Sequence, residues 1–526
     1  MVLVYSFDEA AAHGLTEFEI GGKGLALVEI SKLELPVPPG FIISTELFKR
    51  YCANERKLTI ELKEMIFLKM KDLELKCGRS FGGFKNPLLV SVRSGAPFSM
   101  PGMMDTVLNL GVNEMVVKAL AESSLNERFA YEIYGSFIRS FGKTVLKVPE
   151  ENFTHAFEDI KETFGVKNVS VFSPSFYSHV VESYKLLVEK VTGKKLLEDP
   201  YEQLYQAISA VFDSWWNQRA STYRRMYKIN EDLGTAVTVM SMVYGNIDES
   251  SLTGVVFSRN PSTGLKEIYG EYLSEAQGEE IVSGIRTPKP ISELGLRMPK
   301  LYEHIIQAAY KIENFFKDMQ EIEFTVESNK LFVLQSRTGK RSSMAAIKIL
   351  VDMVEEGLIT KKEALERIDI SQVKQLFYRK IDQRFKGTPL VKGLPASPSV
   401  ASGKVVFGLN DAIRMKEANV KVVLVRQETR PDDIAGVAAS EGFLTVVGGL
   451  TSHAAVIARG LGKPCVVGCD KIRIDLERGF FEVNGIKVKE GDLITVDGST
   501  GNVYLGEVPI VQPELTVEAK KLLSFQ

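Results

Sequence analysis

From Asn126 to Phe141, and again from Tyr201 to Met226, apolar and aromatic side chains recur at the spacing of a helix face, so residues 111–229 read as mainly helical. Most of that aromatic stripe, Trp215 and Trp216 included, is expected in the core. Short β-rich runs flank it, LLVSV at 88–92 and TGVVFSRNP at 253–261. Between residues 342 and 377 the pattern AAIKILVDMVEEGLITKKEALERI predicts two helices broken at Gly357. After the Pro/Gly-punctuated GLPASPSVASG (393–403), the strand-like KVVLV (421–425), the helix-like PDDIAGVAASEG and the strand-like FLTVV (443–447) alternate as in an α/β unit. GDLITVDGSTGNVYLG (491–506) reads as a closing β-hairpin and ELTVEAKKLLSFQ as a short amphipathic tail.

The pattern predicts an α/β and α+β multidomain protein. A mixed region spans 1–341 and contains the helical part. A helical connector follows at 342–388, a compact α/β domain at 389–510 and a tail at 511–526. A length of 526 residues agrees with several domains, and 44% hydrophobic with 25% charged residues is ordinary globular composition. The net charge of −2 argues neither for a nucleic-acid face nor for a membrane-binding one, and neither partner is expected. No run approaches the roughly 18 apolar residues of a membrane span. The opening MVLVYSFDEA does not read as a signal peptide. Four cysteines make no disulfide framework. Cys465 and Cys469 lack a neighbouring histidine ligand and are expected to be core thiols. A cytoplasmic protein is expected.

The most informative chemistry lies in VVGGLTSHAAVIARGLGKPCVVG (446–468). A strand ends at Val447, two glycines turn the chain, and Thr451 or Ser452 can cap a helix running through Ala454 to Arg459. His453 then sits in the first turn, beside unpaired backbone N–H groups and the positive helix end, where a phosphoryl group on a ring nitrogen is stabilised. A neutral imidazole can take up such a group and pass it on. The alternative is a histidine serving only the cap.

Other segments are weaker alone. GGKG (21–24) opens a helix after a turn but lacks the ending of a P-loop. Arg93 stands at a strand end before a Gly/Pro-rich loop, a place to hold anionic oxygens. EIEFTVESNKLFVLQSR (321–337) reads as two strands around Ser328–Asn329. With an odd-numbered loop, Phe332, Leu334 and Ser336 continue the apolar face of Ile322, Phe324 and Val326, and Glu323 and Glu321 lie opposite Gln335 and Arg337. Such a set suits Mg²⁺ bridging nucleotide phosphates. A solvent-facing hairpin with two ion pairs fits equally well.

The histidine segment resembles the phosphohistidine domain shared by pyruvate phosphate dikinases, phosphoenolpyruvate synthases and the first enzyme of the sugar phosphotransferase system. GGKGLALVEI, VSVRSG, SMPGMMDTVLNLG, TGVVFSRNPSTGLKEIYGEY, AQGEE, GIRTPKPI and MQEIEF…LQSRTGKR resemble the ATP-grasp region of the dikinases, in the same order. The resemblance implies an ATP-grasp-like nucleotide-binding region with a helical insertion and a swivelling carrier domain, the carrier moving on segments near 378–392 and 507–515. It implies that His453 is phosphorylated and that Thr451 occupies a regulatory position. It implies nucleotide phosphate contacts from Lys23, Arg93 and Arg337, metal positions at Glu321 and Glu323 with Gln335 beside them, and an acidic pair at Glu279 and Glu280. ATP is the implied substrate, phosphate a further one, and Mg²⁺ the implied cofactor.

The chain also departs from the pattern. Pro97, Gly135-Ser136 and Val447 stand where dikinases carry arginine, Leu450 stands where the sugar-system enzyme does, and Glu321 replaces an aspartate. Because the sequence stops at Gln526, it is expected to lack the pyruvate barrel and to catalyse the nucleotide half-reaction, with a separate chain supplying the PEP/pyruvate domain; a homodimer is also admitted. Two alternatives remain: a degenerate paralogue that binds nucleotide or a partner without transfer, and a phosphotransferase with another acceptor.

Overall fold

The computed structural model describes residues 3–98, 100, 102–166, 172–278, 287–368, 379–382, 384–428, 433–511 and 516–525. The chain forms two compact units, Met1–Ile247 with Phe332–Gln335, and Asp248–Leu331 with Ser336–Gln526. The division falls at Asp248, inside the region read from the pattern as 1–341.

The first unit is built on a five-stranded antiparallel sheet ordered Val4–Ser6, Gly40–Ile43, Ala236–Ser241, Val90–Gly95, Thr106–Leu110. Every residue of Ala236–Ser241, the central strand, is buried, Thr238 and Ser241 included. The helical stripe forms as its period predicts. Asn126 caps Glu127–Thr144 by accepting from the Phe129 N–H, and Phe129, Ile133, Phe137 and Phe141 go into the core. The segment Tyr201–Met226 is not one helix. It divides into Pro200–Asp213, a 3₁₀ turn Ser214–Trp216 and Gln218–Tyr227. That break separates the two tryptophans: Trp215 is buried, whereas Trp216 is only half-buried, stacked on Phe48 beneath the Arg56 guanidinium.

The second unit contains a five-stranded sheet ordered Lys289–Pro290, Tyr269–Ser274, Leu252–Phe257, Gln320–Glu327, Lys330–Thr338. The last strand gives Phe332–Gln335 to the first unit and its remaining residues to the second. An eight-stranded sheet follows, with Val400–Val406, Val422–Arg426, Gly442–Thr445 and Cys465–Val467 parallel at its middle. Helices Leu409–Glu417, Ile434–Ala439 and His453–Leu461 connect these strands, the alternation that the pattern predicts. Leu493–Asp497 and Asn502–Leu505 form the closing hairpin. Cys465 and Cys469 are core thiols. The connector forms helices Ser343–Glu355 and Lys361–Arg367 on either side of Gly357, and the tail helix Val517–Leu523 buries Ala519 and Leu522 in the same core as Ile349 and Met353. Two short strands distant in sequence, Lys380–Ile381 and Ile510–Val511, pair antiparallel.

Candidate active site

The histidine helix starts at His453 itself, which places the ring in the first turn as the sequence suggests, because Ser452 holds the extended backbone of an N-cap (φ −60°, ψ 161°). Neither predicted side-chain cap forms. The Ser452 hydroxyl is buried without a partner, and the Thr451 hydroxyl is drawn away to a carboxylate, donating to Glu271 Oε2 at 3.0 Å. Glu271 also accepts from the Leu450 N–H at 2.9 Å and the Thr451 N–H at 3.3 Å. A β-carbon at Gly449 would lie 2.5 Å from Glu271 Oε2, so only glycine admits this close approach. From the other side the buried Arg459 donates to the carbonyl oxygens of Leu450 (3.0 Å) and Ala396 (2.9 Å).

The half-buried His453 ring lies within electrostatic reach of Arg337, Glu321 and Glu323. Burial, and then the Arg337 charge, hold its pKa below the ordinary imidazole value of 6.5, while the two glutamates oppose them. The imidazole is therefore neutral near pH 7 and has a nucleophilic lone pair.

The acidic strand Gln320–Glu327 carries Glu321 and Glu323 on one face by its two-residue period. Its hairpin corrects the expected register. The loop is the two-residue Ser328–Asn329, with φ of 47° and 65°, rather than odd-numbered. Accordingly Leu331 and Val333 are the buried apolar positions of the return strand, and Phe332 and Leu334 are half-buried. Arg337 nonetheless reaches Glu321, Nη2 to Oε1 at 2.6 Å.

Within the first unit, Arg93 donates to the Leu334 carbonyl at 3.1 Å and to Gln335 Oε1 at 3.3 Å. Lys23 follows a break inside helix Glu17–Lys32. Gly21 has φ 72°, and a β-carbon there would meet the Gly95 carbonyl at 1.8 Å. The helix resumes at Gly22, whose N–H donates to Ala96, so Lys23 and Arg93 converge on one strand end. Of the residues singled out from the sequence, Lys23, Arg93 and Gln335 thus belong to the first unit. Glu321, Glu323, Arg337, Thr451 and His453 belong to the second. Glu279 and Glu280 lie outside the described residues.

The donor set fits Mg²⁺. That ion needs only one or two protein carboxylates when phosphates and waters complete its shell, and buried Glu321 Oε2 has no partner. No cluster of three or more acidic, histidine or cysteine ligands occurs among the described residues, so a dedicated all-protein cage is not what these residues form. Two of the positions that depart from arginine make local contacts within the helical part. Gly135 faces Val180 and Val181 of helix Pro174–Thr192, and the Ser136 hydroxyl accepts from Asn109.

Sequence reasoning missed Glu271 and Arg459. Tyr269, Glu271 and Leu273 alternate on one strand face, and a lone carboxylate on an otherwise apolar face was the available signal. Arg459 lies inside the histidine motif, where nothing distinguishes it from a surface arginine.

Fold and site together define a mixed α/β multidomain protein with a histidine-bearing α/β domain. Residues 55–293 match the family model "Pyruvate phosphate dikinase, AMP/ATP-binding domain", and residues 418–501 match "PEP-utilising enzyme, mobile domain". The chain is 46% identical to the pyruvate, phosphate dikinase of Entamoeba histolytica over 98% of its own length and 58% of that protein. It is 45% identical to that of Rhizobium meliloti and 44% to that of Clostridium symbiosum, over 99% of this chain and 60% of each relative. Two segments of the chain are therefore similar to a dikinase AMP/ATP-binding domain and to a PEP-utilising mobile domain, and the chain spans 58–60% of the length of these relatives. The expectation that a pyruvate barrel is missing finds no support in these matches. No helix among the described residues is long and apolar enough to cross a membrane.

Proposed function

We propose that the two domains carry out the nucleotide half of a dikinase-type phosphotransfer, with His453 as the carrier. The observation that carries this reading is the imidazole's place within reach of Glu321, Glu323 and Arg337. A His453 ring nitrogen attacks the β-phosphorus of ATP and AMP leaves, taking the electrons of the broken α–β bridge. Phosphate then takes the terminal phosphoryl group, pyrophosphate leaves, and one phosphoryl group stays on the ring. Mg²⁺, bound by Glu321 and Glu323, supplies charge neutralisation to the phosphates. Lys23, Arg93 and Arg337 hold phosphate oxygens through charge-assisted bonds, Gln335 orients Arg93, and the acidic pair Glu279–Glu280 belongs near the nucleotide. Thr451 is a candidate for control, since its hydroxyl already anchors the turn. Pyruvate is the proposed final acceptor, and the cytoplasm, with its reducing thiol pool, the proposed compartment.

Protein incubated with Mg²⁺, phosphate and ATP labelled in its β-phosphate should release AMP and retain acid-labile label. His453→Ala should retain none. Label that survives in this variant, or wild-type protein that never acquires it, ends the proposal.

The packing at Gly135 and Ser136 supports a second reading, a paralogue that binds nucleotide without transferring phosphate. Calorimetry showing ATP binding with no AMP release would favour it, and rapid AMP formation would defeat it.

A further inference from the structure

We infer that Glu271 is a positioning residue that docks the phosphohistidine turn, gripping the backbone of Leu450 and Thr451 so that His453 faces Glu321, Glu323 and Arg337. The inference rests on the phosphotransfer reading above and adds to it a residue outside the phosphate-binding set.

Three hydrogen bonds reach one buried carboxylate, and all come from the two residues at positions −3 and −2 from His453: both main-chain N–H groups and the Thr451 hydroxyl. Two main-chain bonds fix the path of the backbone rather than one rotamer, so they fix where the next helical turn begins. Arg459 fixes the same segment from within the carrier domain by holding the Leu450 carbonyl. The turn is thus held by its N–H groups from the five-stranded sheet and by its C=O from its own domain.

A carboxylate is an expensive filler for a buried contact unless donors surround it. Here burial pushes its pKa upward, while the Leu450 and Thr451 donors and the Arg459 charge pull it back. Those donors are present only while the turn is seated, so the contact is specific to the docked arrangement. Gly449 belongs to the same device, because any side chain there would strike the carboxylate. Glutamine cannot replace glutamate: one oxygen becomes an NH₂ group, and a donor then faces the Thr451 N–H.

The test uses the full chain. Glu271→Gln and Thr451→Val should slow labelling of His453 from β-labelled ATP, by about tenfold or more for the first and a few-fold for the second. Thr451→Ser, which keeps the hydroxyl, should restore the wild-type rate. ATP affinity by calorimetry should stay within about twofold, because nucleotide binding and transfer-specific positioning are separable. Hydrogen exchange at the Leu450 and Thr451 amides should accelerate in Glu271→Gln while the melting temperature holds. Unchanged amide protection, or labelling within about twofold of wild type, would overturn the inference. If wild type forms no phosphohistidine, the phosphotransfer reading fails by itself. Exchange then decides the docking contact: lost protection supports it and retained protection refutes it.

Discussion

At the first residue of a helix an imidazole meets unpaired N–H groups, and at His453 it also meets an arginine and two carboxylates of opposite influence. The sign of the balance has a thermodynamic consequence. A histidine whose native pKa lies below its unfolded value binds fewer protons when folded, so acid favours unfolding. Its contribution is constant above the unfolded value near 6.5 and is lost as pH falls from there toward the native value. Urea denaturation in EDTA should show a steeper stability loss between about pH 7 and pH 5.5 for wild type than for His453→Gln. Parallel slopes would mean that the ring is not held neutral by its surroundings. At this scale the sequence was legible where chemistry and local geometry coincide, in the T-S-H turn. It was silent on the partner of Glu271, since a glutamate in IYGEYL carries no mark of the turn that arrives from 179 residues further along.

Between elements, one contact is a buried ion-pair network. Arg259, at the end of strand Leu252–Phe257, is fully buried against Glu313 of helix Pro299–Phe316, with bonds of 2.8 and 3.0 Å, and also meets Glu356 after helix Ser343–Glu355 at 2.7 Å. Ser258 donates to the second oxygen of Glu313. Removing one partner of such a network leaves a desolvated charge behind. Glu313→Ala should therefore cost about 3–5 kcal/mol by denaturant titration. A cost below about 1 kcal/mol, the range of an exposed pair, would show that Glu356 and solvent compensate. The same scale shows where pattern reading stops. Helix Glu127–Thr144 is legible because period and cap agree. The hairpin register is not, because a two-residue turn with both residues at positive φ shifts which face of the return strand is buried, and SN leaves odd and even loops both open. The tryptophan pair was separated for a similar reason, since the 3₁₀ turn at Ser214–Trp216 shortens the period for a single turn.

For the molecule as a whole, the proposed phosphotransfer requires that a metal-assisted nucleotide site and the histidine act together. The carboxylates Glu321 and Glu323 are too few to retain Mg²⁺ without phosphates, so metal and nucleotide should bind interdependently. Dialysis against EDTA should abolish AMP formation and readdition of Mg²⁺ should restore it. Glu323→Gln should raise the Mg²⁺ concentration needed for half-maximal rate by about tenfold or more, the cost of one charged ligand. AMP formation that persists in EDTA, or an unaltered Mg²⁺ requirement in the variant, would remove the metal role from these residues.

By itself the sequence determined the elements whose signals are local: the helical stripe of the first unit, the alternating strands and helices of the histidine-bearing α/β domain, the cap position before His453 and the acidic strand. Periodicity and turn chemistry act over a few residues, and a single chain displays them directly. Tertiary structure alone decided the hairpin register, the burial of Glu271 and its grip on the histidine turn, the support from Arg459 and the pairing of Lys380–Ile381 with Ile510–Val511. Each depends on which distant segments meet, and that is set by the packing of whole sheets and helices rather than by any one stretch of chain.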